Sequence, residues 1–94
     1  MLSAAPIDLK KVRIEDIDKE ITRLGMIAEL DAVNLYEQLA AMAKNELIKK
    51  ALFDIAKEEK THMGEFQTLL LILDKQQEKE LVNGKNEIEE LTDK

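Results

Sequence analysis

The three residues Ala43-Lys44-Asn45 ("AKN") are the only break between two long runs of helical apolar spacing, and their shortness decides the fold. Before them, apolar residues recur through Ile14, Ile17, Ile21, Leu24, Ile27 and Ala28, then Leu35, Leu39 and Met42, which predicts one helix from about Ile14 to Met42. After them, Leu47, Leu52, Ile55, Ala56, Met63, Phe66, Leu69 and Leu70 predict a second from about Glu46 to Leu73. So short a connection makes the two helices antiparallel neighbours, an all-α hairpin. At the helical rise each is roughly 40–45 Å long, too long for a compact lone pair. Leu69-Leu70-Leu71-Ile72-Leu73 is moreover apolar on every side, more than a partner helix can cover. A second copy is therefore expected, the two hairpins making a four-helix bundle.

The bulk composition narrows the class. Of 94 residues, 45% are hydrophobic and 36% charged, a balance that fits one ordered, helix-rich domain. There is no cysteine to staple it. The N-terminal "MLSAAPIDLKKVR" lacks the basic start and apolar core of a secretory signal, and no apolar run is long enough to span a bilayer. The expected setting is cytoplasmic, without membrane contact. A net charge of -6, with no tryptophan and one tyrosine, argues against a nucleic-acid partner, which needs clustered Lys and Arg. An acidic surface instead gathers cations. After Asp74 the stretch "KQQEKELVNGKNEIEELTDK" carries a turn signal at Asn83-Gly84. It reads as a short helix near Gln76 to Leu81 followed by a charged tail or linker over 82–94. The hairpin domain is then 13–81, preceded by an arm over 1–12.

Three polar residues interrupt the apolar stripes. Glu59 and His62 sit among Leu52, Ile55, Ala56, Met63, Phe66 and Leu70, and Glu29 sits among Gly25, Met26, Ala32, Val33, Tyr36 and Ala40. A carboxylate among apolar neighbours must be protonated, paired or bound to a metal. Neither stripe holds a lysine or arginine. Counting outward from the hairpin turn, Glu29 and the Glu59–His62 pair fall at one height, roughly 24 Å away. A Glu on one helix opposite Glu-x-x-His on the next is half of the di-iron carboxylate set, which takes a Glu from each of two helices and Glu-x-x-His from each of two more. A two-fold dimer of hairpins supplies the other half. Four carboxylates would then balance two Fe²⁺, so the loaded cage is near neutral where the empty one is strained. The O and N donors also suit Mn²⁺ or Zn²⁺, and Ca²⁺ as a further substitute.

Other residues nearby have plainer readings. Tyr36 reads as a packed aromatic, with a hydrogen bond to a metal ligand or a redox role as its functional alternative. Asp31 lies off the Glu29 stripe and reads as solvated; its alternative is to line an access path for metal. Met26 and Met63 read as core filler, since thioethers bind hard cations poorly.

The pattern resembles the encapsulated ferritins, short two-helix chains that look like half of a ferritin. The likeness runs through "MIAELDAVNLYEQLA" (Met26 to Ala40), with E-L-x-A-V-x-x-Y around Glu29, and "IAKEEKTHMGEF" (Ile55 to Phe66), with E-E-K-x-H around Glu59. It implies that Glu29, Glu59 and His62 ligate iron in a ferroxidase centre formed across a dimer interface. It further implies a ring, typically a decamer of five dimers, working inside an encapsulin nanocompartment. The shell protein would be met in trans or as a fusion. Two positions depart from the family: Leu35 stands where bacterial members often have Trp, and Ala28 where they tend to carry an acid. Nor does a clear shell-targeting peptide follow Leu91, whereas some archaeal relatives fuse the ferritin-like domain directly to the shell protein. Two other readings stay open: a rubrerythrin-like peroxide scavenger at the same site, and a metal-free helical interaction module in which the three residues are chance polar positions.

Overall fold

The computed structural model describes residues 8–92, so most of the arm expected over 1–12 and the last two residues of the tail lie outside the described residues. Helix α1 spans Ile17–Met42, α2 Glu46–Leu73 and α3 Lys75–Thr92, with single 3-10 turns at Leu9–Lys11 and Ile14–Asp16. The periodicity from Ile14 onward thus begins in a 3-10 turn that tightens the entrance to α1, a usual form of helix start.

The hairpin closes because the backbone changes course at two residues. Ala43 takes extended dihedrals after its N–H has bonded Leu39 O, and Asn45 is extended too. The Asn45 side-chain oxygen then accepts the N–H groups of Leu47 and Ile48 at 2.9 and 3.0 Å, satisfying donors that the start of α2 leaves orphaned. Along the seam between α1 and α2 the buried residues are mostly small: Thr22, Ala32, Val33, Ala40 and Ala56, with Leu70 the one large member. Small side chains let the two backbones approach closely. Lys60 and Glu37 bridge the seam at 3.4 Å on the exposed side, a contact worth little in water.

The molecule measures 47 × 45 × 20 Å. No second layer covers the hairpin's flanks. Ile21, Leu39, Leu69 and Ile72 remain 40–63% exposed, each forgoing roughly half of the 1.5–3 kcal/mol that full burial gives. That is the physical case for a further partner.

Helix α3 departs from expectation. It does not stop near Leu81 but runs on to Thr92, through Asn83-Gly84. A hairpin-type turn there needs positive φ, and no described residue has one. The surrounding Glu, Lys, Gln and Leu are strong helix formers, and Lys75–Glu78 and Lys85–Glu89 pair at helical spacing. Propensity along eighteen residues outweighs one glycine.

Asp74 makes the corner between α2 and α3. Its φ of -131° and ψ of 91° break the helix, its Oδ1 accepts the N–H of Gln77 at 3.1 Å, and its Oδ2 accepts from the Arg23 guanidinium at 2.9 Å. One carboxylate therefore ends α2, caps α3 and ties both to α1. The Gln77 N–H foremost, then Arg23, hold this carboxyl below its ordinary value, against the opposing effect of its burial.

Two outcomes follow from these caps. Asn45→Ala should cost about 1 kcal/mol, read as a lower urea midpoint with unchanged slope. Because Asp74 is more acidic folded than unfolded, its contribution is present above its unfolded pKa and disappears as pH falls through the lower folded value. Energy transfer between labels on α1 and α3 should therefore stay constant down to about pH 4 and fall below it. Asp74→Ala should show the open value already at neutral pH.

Candidate metal centre

Glu29 faces α2 because it lies on the same stripe of α1 as Thr22, Gly25, Val33 and Tyr36, one turn or two apart. Glu59 and His62 lie one turn apart on the α2 stripe that faces back. The hairpin brings all three together: one ligand atom from each lies within 4.8 Å of the others. His62 Nδ1 is 3.5 Å from Glu59 Oε2 and 3.7 Å from Glu29 Oε2, too long for good hydrogen bonds and suited to an atom between them.

Burial is graded across the group. The Glu29 and Glu59 side chains are each 19% exposed, His62 48%. The imidazole stands at the rim, less enclosed than its apolar stripe suggests. Glu29 Oε2 is shut off from solvent and accepts no hydrogen bond among the described residues. No lysine or arginine pairs with either carboxylate among those residues; His62 is the one basic group near them. Two facing carboxylates with an orphaned oxygen are costly alone and favourable around a cation. The donor set, two carboxylates and one imidazole, suits Fe²⁺, Mn²⁺ or Zn²⁺.

Glu29 and His62 open into a hollow of about 290 Å³ that Glu65, Phe66 and Leu69 also line. Beside it, sharing Leu69, lies a second hollow of about 260 Å³ bordered by Ile21, Ile72 and Leu73. The triad thus faces the same uncovered apolar flank on which the core is incomplete. Tyr36, two turns from Glu29, is half-buried and its hydroxyl meets no hydrogen-bond partner among the described residues. Asp31 is not solvated as its position off the stripe suggests: it is half-buried, with Oδ2 shielded from solvent. The sequence reading passes over Glu65 and the corner pair Arg23–Asp74; the acid three residues after His62 was the available signal for the first.

Two long antiparallel helices carrying Glu opposite Glu-x-x-His define half of a ferritin-like bundle. The sequence profile of the rubrerythrin family matches residues 20–93, and the chain belongs to that iron-binding, ferritin-like family, in its encapsulated ferritin branch. It is 50% identical, over 98% of its length, to the ferritin-like-encapsulin shell fusion protein of Pyrococcus furiosus, of which it spans 27%. Its fold matches the crystal structure of the encapsulated ferritin domain from Pyrococcus furiosus with a TM-score of 0.83 and 46% identity. That match covers 100% of this chain and 96% of the other. Among the described residues no helix is long and apolar enough to cross a membrane.

Neutralising one of the facing carboxylates should relieve the empty site. In chelator-treated protein Glu29→Gln is expected to raise stability by about 1 kcal/mol, measured by calorimetry at neutral pH. The same variant should lose most of the stabilisation that added Zn²⁺ gives the unaltered chain.

Proposed function

We propose that this chain is a ferroxidase, oxidising Fe²⁺ with O₂ at a di-iron site shared by two copies related by a two-fold axis. The observation that carries this reading is the convergence of Glu29, Glu59 and His62 within 4.8 Å on a flank where the apolar core is also unfinished. One missing half accounts for both. A second hairpin laid on this flank adds another Glu29, Glu59 and His62 and covers Ile21, Leu39, Leu69 and Ile72.

In the proposed arrangement iron is the substrate as well as the resident metal. Glu29, Glu59 and His62 of each copy would hold the iron, the carboxylates as anionic oxygen donors and the imidazole as a neutral nitrogen donor. The four carboxylates stabilise the higher charge of Fe³⁺ and so favour loss of an electron from each ion, while His62 supplies a neutral nitrogen donor. His62 and Glu65 line the hollow that the second copy would cover, so both would face the partner across the site. Tyr36 and Asp31 are proposed as neighbours of the site, the first beside the ligands and the second on the access path.

The hairpin over 13–81 is the proposed catalytic unit, and 82–94 continues from it as helix. The Pyrococcus furiosus relative joins a ferritin-like part to an encapsulin shell, which supports the same setting here: a ring of dimers, a decamer of five, inside an encapsulin nanocompartment in the cytoplasm, with the shell met in trans or by fusion. A chain this thin encloses no space of its own, so mineral storage falls to the shell.

Rapid mixing of anaerobically loaded protein with O₂ tests the reading. Ferric absorbance should rise at least a hundredfold faster than in the Glu29, Glu59 and His62 triple alanine variant, with oligomer mass increasing on metal addition. At a metal concentration about a hundred times Kd, stability should rise by about 2.7 kcal/mol, and a chelator should reverse it. Faster oxidation with H₂O₂ than with O₂ would move the assignment to a peroxide scavenger, for which this family membership also speaks. Equal slow oxidation in both proteins and a mass indifferent to metal would leave a helical interaction module.

A further inference from the structure

Gly25 and Phe66 form a contact that the reaction scheme above does not use. A Cβ built on Gly25 would fall 2.7 Å from Phe66 Cγ, 2.6 Å from Cε1, and no further from Cδ1. The ring therefore occupies the space that any other residue's side chain would take. The other two described glycines differ, since a Cβ on Gly64 or Gly84 meets nothing within 4 Å. Gly25 has negative φ, so no backbone strain calls for glycine there; close approach does.

The position of this contact matters. Gly25 precedes Glu29 by four residues on α1, and Phe66 follows His62 by four on α2. In an antiparallel pair the two contacts are therefore at matching levels, one helical turn apart. Phe66 also lines the hollow into which Glu29 and His62 open. An interior helical glycine carries an entropic cost relative to alanine, and only at Gly25 among the three described glycines does a ring fill the vacated space.

Resting on the metal-site reading above, we infer that Gly25 and Phe66 are positioning residues: the ring seated on the bare backbone of α1 fixes how closely and at what height Glu29 meets Glu59 and His62. With a methyl at 25 the ring must swing out or α1 must draw back. Either movement falls one turn from the ligands, inside a packed seam that transmits small displacements. The ligands stay in the chain, but the spacing that lets them share one cation is lost.

Titration of the full chain with Co²⁺ alone, followed by its ligand-field absorption and by calorimetry, tests this. Gly25→Ala should weaken Co²⁺ binding at least tenfold and alter the band, while circular dichroism shows its helices retained. Gly84→Ala, the same change in open space, should bind as the unaltered protein does. Phe66→Ala removes the contact from the other side, keeps glycine at 25, and should weaken binding at least threefold. Adding Gly25→Ala to Phe66→Ala should cost nothing more, because the atoms the methyl would strike are gone. Should Gly25→Ala fail to fold, the Phe66→Ala pair of variants carries the comparison: further weakening of Co²⁺ binding by the added methyl overturns the inference. So does Gly25→Ala binding Co²⁺ like the unaltered chain with a raised melting temperature, the result that helix propensity alone gives. If the unaltered protein binds no Co²⁺, the metal-site reading itself falls and this inference with it. Binding by the unaltered chain that is indifferent to residue 25 sinks the positioning role only.

Discussion

Two carboxylates, Glu29 and Glu59, face one another across a seam built of alanine, valine and leucine, with a rim histidine as the one basic group beside them. Everything else in the molecule is consistent with meeting that constraint. In water such a pair would separate; here the long helices hold them, and an oxygen of Glu29 is left without a hydrogen bond among the described residues. On the proposed reading a divalent cation would convert the same geometry from costly to favourable, coupling metal binding to completion of the fold. The flank that exposes the triad also exposes the apolar residues needing cover. In the proposed dimer, site and interface would then be two aspects of one surface.

The thinness of the chain explains why the burden falls on that surface. A pair of helices buries few residues, and apart from Leu70 those are small. Close approach is what brings Glu29 near His62, and it needs places where nothing projects. Gly25 is the extreme case, with an aromatic ring where its side chain would be. Stability within one copy is therefore given up for proximity, and the proposed pairing of copies would restore it.

The corner at Asp74 separates this machinery from α3. One residue breaks α2, caps α3 and holds Arg23, so the direction in which the third helix leaves the hairpin is set by a handful of polar bonds rather than by a core. No residue of α3 is buried. Leu81 borders a hollow shared with Met26, Ile27, Leu30 and Leu70 of the hairpin, while Val82, Ile88 and Leu91 further along remain exposed.

The hairpin and the triad were legible in the sequence because both are matters of period. Apolar residues at helical spacing, a three-residue break and equal distances from the turn suffice to put Glu29 opposite Glu59 and His62. The extent of α3 was not legible, since Asn83-Gly84 is a turn signal only when its neighbours permit positive φ, and here a long run of helix formers overrides it. Asp31 was misread as solvated because a helical stripe says which residues face the partner helix and nothing about what else shields a side chain. Gly25 and Phe66 could each be seen on the apolar faces, but that the ring of one fills the missing side chain of the other is a fact of interhelical distance. Sequence periodicity determines which residues meet; only packing in three dimensions decides how closely, and for ligands that must share a cation the closeness carries the chemistry.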